Sequence, residues 1–583
     1  MPQRRIPGAR RVWVPAAFLG MFAMVLVGRL IQLQVLDHAQ YAAAAAEELS
    51  GKDIIYARRG SILDRNGNVL AASVNTWDIY VNSRSWQDAA RTNKTSESLA
   101  AALKMDANKL RDTVTKSKAV DVLVRRDVEF ATGNAIIAAG LDGVIALPNT
   151  NRVNPEGDVA ASILGFIGQD NTGLTGIELS YNEMLQGEPG RAIYERDTTG
   201  DPIPFGAYTV VAPKPGEDVV LTIDRYIQAL AEQRLDAAIK EHRAKGGTIM
   251  VVDPATLEIL ALASQPAVKY STLGSLDLSD PKQMQLLNNV AISSVYEPGS
   301  VMKILTAAAA IDAGAVTPDT TYVDNGIAYV YGIPIKNWDD SVYGLQSMTG
   351  VLQNSINTGA IFMMQATEKT RPGAFQKYLD AFGIGRTTGI DFQGEAEGIV
   401  RRPTDSGWSP VDMATQAFGQ SISVTPIQML SAVAAAINGG NLMKPHFVKA
   451  HVAPNGNRTE VRPEILGRAI SEQTSATIRQ MLHAVVDSPG RFHPGNPKEY
   501  SAGGKSGTAN VPVPNGYDQT QIASFIGFAP LEKPRILVLV KLDNNEDFLT
   551  GTAAAGPVFS KLADEILRYM NVLPDATRYV TKP

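Results

Sequence analysis

The sequence predicts an α+β protein carried on a single apolar N-terminal helix, and three observations lead there. Residues 12–36 are almost uncharged, with Arg29 as the one exception. Two short apolar segments near residues 248–263 are separated by more than 200 residues of helix-patterned chain from three further apolar segments after residue 500. The chain has 583 residues, too many for one hydrophobic core, so two or three domains are expected. Together these give an N-terminal transmembrane helix, a mixed α/β pedestal, and a larger domain whose central antiparallel sheet, flanked by helices, is drawn from both ends of its sequence.

Composition narrows the function. A net charge of -5 and a pI near 5.8 argue against nucleic acid as a partner. With no cysteine, disulfides, thiol catalysis and cysteine-ligated metals are excluded. The six histidines are scattered without a His-Glu-x-x-His pattern, so no metal site and no cofactor are expected.

The elements follow in order. Residues 1–11 carry Arg4, Arg5, Arg10 and Arg11 with no acidic residue, and read as a cytoplasmic tail. Residues 12–36 form the anchor: Arg29 snorkels and the apolar face continues to Leu36, which gives a span of about 25 residues. Gln32 and Gln34, at the outer edge of that span, suit packing against another membrane protein. A cleavable signal peptide is the rival reading, with small-residue cleavage sites at Ala42 to Ala46. Under either reading the bulk of the chain is exported.

Residues 37–240 are assigned to the pedestal. Asn66-Gly67 lies between two short apolar runs and marks a hairpin, and the charges from Arg58 to Arg65 read as a buried ion-pair network joining two lobes. Gly173, Gly176, Gly187 and Gly190 are spaced for turns. Asp224 caps a helix over about 225–242, after which a second domain, 245–575, begins. Its strands are 248–252, 258–263, 500–509, 523–529 and 536–542, and its closing helix is 557–570. The region from Ser300 to about residue 490 reads as largely helical, and residues 576–583 as a tail.

The chemistry centres on Tyr296-Glu297-Pro298-Gly299-Ser300-Val301-Met302-Lys303, a breaker pair followed by an apolar, alanine-rich helix. Residues three apart share a helical face, so the Lys303 amine reaches the Ser300 hydroxyl. A serine is a weak nucleophile until a neighbour takes its proton, and a lysine does so once burial or a second cation lowers its pKa. Ser279-Asp280-Pro281-Lys282 repeats the spacing, but with a proline inside the turn and a polar context.

Two more pieces complete a set: Ser355-Ile356-Asn357, and Lys505-Ser506-Gly507-Thr508 within a strand. Ser-x-Asn alone carries nothing, since Ser73-Val74-Asn75 and Ser180-Tyr181-Asn182 match it too. Order, spacing and strand context carry the assignment. In it Ser300 attacks a carbonyl and Lys303 accepts the proton. Ser355 relays a proton to the leaving amine, and Asn357 bonds the substrate amide and Lys303. Lys505 lowers the Lys303 pKa and attracts a carboxylate; Ser506, Gly507 and Thr508 offer strand backbone for an extended peptide.

With these motifs, and with Arg59-Gly60-Ser61-Ile62-Leu63-Asp64-Arg65 and Gly176-Ile177-Glu178 in the pedestal, the chain resembles the class B penicillin-binding proteins, monofunctional peptidoglycan D,D-transpeptidases. The resemblance implies D-Ala-D-Ala stem peptides as substrate and β-lactams as covalent inhibitors. It also implies a single-pass protein of the bacterial cytoplasmic membrane, N-terminus inside and catalytic domain outside. The wording of Phe418-Gly419-Gln420-Ser421-Ile422-Ser423-Val424-Thr425-Pro426 is most similar to the division-type, FtsI-like branch, with the elongation type as the alternative. That branch suggests an FtsW-like glycan polymerase as partner, because no glycosyltransferase motif precedes the pedestal. A β-lactam hydrolase or sensor is the further rival. A class A hydrolase needs a Glu-x-x-x-Asn element after Asn357, and the sequence has that spacing only at Glu178 to Asn182.

Overall fold

The computed structural model describes residues 9–38, 40–41, 50–87, 89–195, 208–277, 279–488, 493–513, 516–545 and 549–575. The candidate cleavage sites at 42–46, most of the N-terminal tail and the C-terminal tail from 576 lie outside them. The chain divides into two compact units, residues 1–58 with 187–215, and residues 59–186 with 216–583.

The first unit holds the helix Ala9–Ile31, extended by a π-helical turn Gln32–Leu36. At 1.5 Å per residue, its 23 residues span about 35 Å, enough for a hydrocarbon core of about 30 Å. Trp13, Phe18 and Phe22 stand exposed along it. Gln32, expected to face a partner, meets its polar needs within the chain: its Oε1 accepts from Arg29 Nη1 at 2.7 Å and its Nε2 donates to Asp37 at 3.2 Å. The same unit contains an antiparallel sheet of Ser50–Ile55, Gly190–Glu195 and Tyr208–Val211.

The second unit is built on two sheets. One is five-stranded and antiparallel, in the order Ile259–Gln265, Gly246–Val252, Ile536–Asn545, Gly516–Ala529, Gly503–Val513. Residues 249–252, 259–263 and 536–540 of it read as unbroken apolar runs because both faces are buried there. Ile249, Val251, Val538 and Val540 pack against the helices Arg225–Glu241 and Gly556–Tyr569 through Leu235, Phe559 and Ile566. Met250, Val252, Leu537 and Leu539 face the insert, where Val301, Ile304 and Leu430 close the core. Each large side chain sealed in this way contributes about 1.5–3 kcal/mol relative to exposure. The strand that carries Lys505 is an edge of the sheet.

The other sheet joins Ile62–Leu63, Val69–Asn82, Asp121–Glu129, Val144–Val153 and Asp218–Leu221 to Val448–Val452 and Arg458–Glu460. It therefore runs across the boundary expected at 240–245. Its Ile62–Leu63 hairpin turns at Gly67, whose φ of +86° favours glycine, and Asp64 holds the turn by accepting from the amides of Asn66 and Asn68 at 2.9 and 2.8 Å.

The ion-pair network is present, with a narrower reach than expected. Arg59, 1% exposed, donates to Glu178 at 2.5 Å, to Asn182 Oδ1 at 2.9 Å and to the carbonyls of Asn171 and Glu178. Arg152 takes the other Glu178 oxygen at 2.7 Å. All of these residues belong to the pedestal. Across the boundary expected at 240–245, Arg65 pairs with Glu258 at 3.2 Å, Asp236 with Lys269 at 3.9 Å, and Arg234 with Glu565. Asn182, the decoy asparagine, is consumed in this network.

The region 300–490 departs from the helical expectation. Among the described residues it holds four two-stranded sheets besides its helices, including Thr321–Asp324 with Gly344–Ser347 and Ile327–Val330 with Ile333–Lys336. Their strands run two to four residues, too short to show a period in the sequence.

Candidate active site

Ser300 sits in a 3-10 turn, Gly299–Met302, that feeds the α-helix Lys303–Asp312, so the tight turn falls one step before the expected helix start. Gly299 makes this possible: its φ is +56°, and a Cβ there would stand 2.8 Å from the Thr508 carbonyl. The serine turn and the Lys505 strand therefore touch backbone to backbone. From Lys303 to Ala310 every residue of the helix is buried, and Thr306 Oγ1 ties it to the Ala417 carbonyl at 2.7 Å.

Lys303 is fully buried and spends its amine on four oxygens. Nζ lies 3.0 Å from Ser300 Oγ, 2.6 Å from the Ser355 carbonyl, 3.3 Å from Ser355 Oγ and 2.8 Å from Asn357 Oδ1. Burial holds its pKa well below the ordinary lysine value, the positive charge of Lys505 lowers it further, and Asp339 opposes both. Lys505, also fully buried, donates to Ser355 Oγ at 3.0 Å. Ser355 reaches both amines because its backbone is left-handed, with φ at +56°. Asn357 opens the helix Asn357–Thr370, and its Nδ2 donates to the Lys336 carbonyl at 3.1 Å.

All eight expected site residues thus gather at one place. Ser300, Ser355, Asn357, Ser506 and Thr508 line a cleft of about 550 Å³, with Lys303, Lys505 and Gly507 packed behind them. Thr508 Oγ1 accepts from the Gly551 amide at 3.1 Å, which fixes the middle of the strand Gly503–Val513 against the start of the short helix Gly551–Ala554. The decoy Ser279 spends its hydroxyl on Asp277 at 2.6 Å.

Sequence reasoning missed the cleft walls. Lys336 ends a short hairpin strand and Trp338 follows it, Thr550 and Thr552 come from the start of the short helix that pins Thr508, and Phe418 heads the segment quoted above for its wording alone. None carries a motif. The one available signal was the pair of polar, aromatic-rich turns between Ser300 and Ser355, which must lie over the nucleophile if both motifs meet.

A hydroxyl beside a buried amine whose pKa is held low, with a second buried amine one hydroxyl away and an edge strand alongside, is equipped for acyl transfer from an extended peptide. Comparison with known proteins agrees in kind. Residues 247–564 match the model of the penicillin binding protein transpeptidase domain, and residues 54–221 match that of the penicillin-binding protein dimerisation domain. The chain belongs to the class B penicillin-binding proteins. Within that family it is 35% identical over 523 residues to stage V sporulation protein D of Bacillus subtilis, covering 88% of this chain and 79% of that protein. It is 30% identical over 558 residues to the peptidoglycan D,D-transpeptidase FtsI of Escherichia coli, covering 94% and 90%. Its fold is similar to that of penicillin-binding protein 3 of Mycobacterium tuberculosis in complex with aztreonam, with a TM-score of 0.67, 28% identity, and coverage of 90% of this chain and 98% of that one.

Proposed function

We propose that this penicillin-binding protein cross-links peptidoglycan stem peptides through an acyl-enzyme on Ser300 during septal wall synthesis. Ser300 Oγ attacks the carbonyl of the penultimate D-Ala while neutral Lys303 takes its proton. The C–N bond to the terminal D-Ala then breaks, its amine receives a proton through Ser355, and D-Ala leaves. An acceptor amine from a second stem peptide attacks the ester, its surplus proton returns through Lys303, and Ser300 is regenerated. Asn357 holds the donor amide. Lys505, Ser506, Gly507 and Thr508 take the peptide's carboxylate end and backbone. The observation that carries this reading is the 3.0 Å approach of the buried Lys303 amine to Ser300 Oγ. Intact-mass spectrometry after penicillin exposure tests it: one adduct on Ser300 is expected, absent in Ser300→Ala and slowed by orders of magnitude in Lys303→Arg. An adduct that survives Ser300→Ala overturns the assignment.

The septal role is supported by the relative named FtsI and by the wording of residues 418–426. Depletion in the source bacterium should give filaments, whereas an elongation role gives rounded cells. The family matches at 54–221 and 247–564 support a pedestal over 37–240 and a catalytic domain over 245–575. The apolar helix within 12–36, preceded by Arg4, Arg5, Arg10 and Arg11, supports a single-pass protein with its N-terminus inside. An FtsW-like polymerase is the partner we assign to that helix. Replacing 12–36 with an unrelated span should release it on co-purification from detergent.

A further inference from the structure

We infer that Asp324 and Asn337 are positioning residues that clamp Asn357 into the site, so that the short hairpins between residues 321 and 347 set catalytic geometry. This rests on the Ser300 acylation reading and deepens it. The helix Asn357–Thr370 has no side-chain cap of its own, because its N-cap position is Ile356. Its first amides are met from twenty residues upstream: Asn337 Oδ1 accepts from Asn357 N at 3.1 Å and from Thr358 N at 3.2 Å. The preceding residue's carbonyl, on Lys336, takes Asn357 Nδ2 at 3.1 Å. Backbone and side chain of Asn357 are thereby both fixed by one two-residue segment. What remains of Asn357, its Oδ1, points at Lys303 Nζ, 2.8 Å away.

Asn337 is in turn oriented by a buried carboxylate. Its Nδ2 donates to Asp324 Oδ2 at 2.9 Å and to the Ser341 carbonyl at 3.0 Å, so its oxygen faces the start of the helix, where Thr358 Oγ1 also lies 3.4 Å away. Asp324, 1% exposed, also accepts from Thr358 Oγ1 at 2.5 Å, from Gly326 N at 3.1 Å and from Tyr343 N at 2.8 Å. The order of donors and acceptors runs one way, from Asp324 through Asn337 to Asn357. Reversing it at Asp324 turns the Asn337 amide, which then presents hydrogens to hydrogens.

The test measures the acylation rate and the non-covalent affinity for a fluorescent penicillin separately, with Ser300→Ala alongside. Asp324→Asn, which keeps shape and changes only polarity, should lower the acylation rate about 10- to 100-fold with little change in affinity, the scale of a sub-ångström misplacement. Asn337→Asp alone sets two carboxylates face to face and should do the same. The exchange Asp324→Asn with Asn337→Asp restores a donor between them and should recover most of the loss. Val330→Ala, which loosens the same hairpin without touching the clamp, should acylate near the wild-type rate. If Asn337→Asp fails to fold, as judged by melting temperature, Asp324→Asn carries the test. Acylation within about twofold of wild type in Asp324→Asn, no recovery in the exchange, or an equal loss in Val330→Ala overturns the clamp. Absence of any adduct on the wild-type protein overturns the Ser300 reading instead.

Discussion

Lys303 and Lys505 share one hydroxyl: Ser355 Oγ lies 3.3 Å from the Lys303 amine and 3.0 Å from that of Lys505, with both lysines fully buried. Two ammonium groups this close without solvent are costly, and that cost, added to burial, lowers the pKa of Lys303. The acylation rate should follow the neutral fraction of Lys303, rising with pH through its lowered pKa and levelling above it. Lys505→Met removes a positive neighbour, so it should raise the Lys303 pKa and move that limb to higher pH, beyond any fall in the plateau rate. A pH profile of penicillin acylation checks this, and a limb that stays in place would separate the two lysines.

Ser355 occupies left-handed backbone, φ +56°, to bring its hydroxyl between the amines. For a residue with a Cβ that conformation costs about 1–2 kcal/mol. Ser355→Ala and Ser355→Gly both lose the hydroxyl and should lose acylation alike. Only glycine relaxes the backbone, so its variant should be about 1 kcal/mol more stable than the alanine variant by urea denaturation. Equal stabilities would show that no strain is held there.

What the sequence disclosed depended on how local each arrangement is. Ser300 with Lys303, and Ser355 with Asn357, are set by one turn each, so spacing placed them. The five-stranded sheet was legible because runs such as 249–252 are buried on both faces and carry no polar interruption. The second sheet was not: Val448–Val452 pairs with Asp218–Leu221 across more than 220 residues, and no local pattern records a partner that distant. Asn337 was missed for a related reason. An asparagine in a turn-rich segment reads as a turn residue, and its true work, capping a helix twenty residues away, depends on two short hairpins that four-residue strands do not announce.

Glu178 serves two buried guanidinium groups, with side chains of Arg59, Arg152 and Glu178 exposed by 0%, 7% and 2%. Removing its charge leaves both cations buried against one another, and burial already holds the Arg59 pKa down. Glu178→Gln should therefore cost about 3–5 kcal/mol, the scale for breaking a buried pair from one side. Urea denaturation measures it. The folded fraction should still be acylated at Ser300, because no member of the network lines the cleft.

The lifetime of the penicillin adduct separates a transpeptidase from a hydrolase. Hydrolysis of the ester needs a base that activates water against it, and in the class A hydrolases that base is a glutamate. Among the described residues, those that line the cleft include no aspartate or glutamate. Asp339 follows the cleft residue Trp338, accepts from Tyr343 Oη at 2.9 Å, and acts on the site by raising the Lys303 pKa. The adduct should accordingly persist for many minutes after free drug is removed, as followed by intact mass. Asp339→Asn should leave that lifetime unchanged while moving the acid limb of acylation to lower pH, because the loss of a negative charge near Lys303 favours its neutral form. Rapid return of unmodified protein in the wild type, abolished in Asp339→Asn, would make Asp339 a deacylation base and move the chain to the hydrolases.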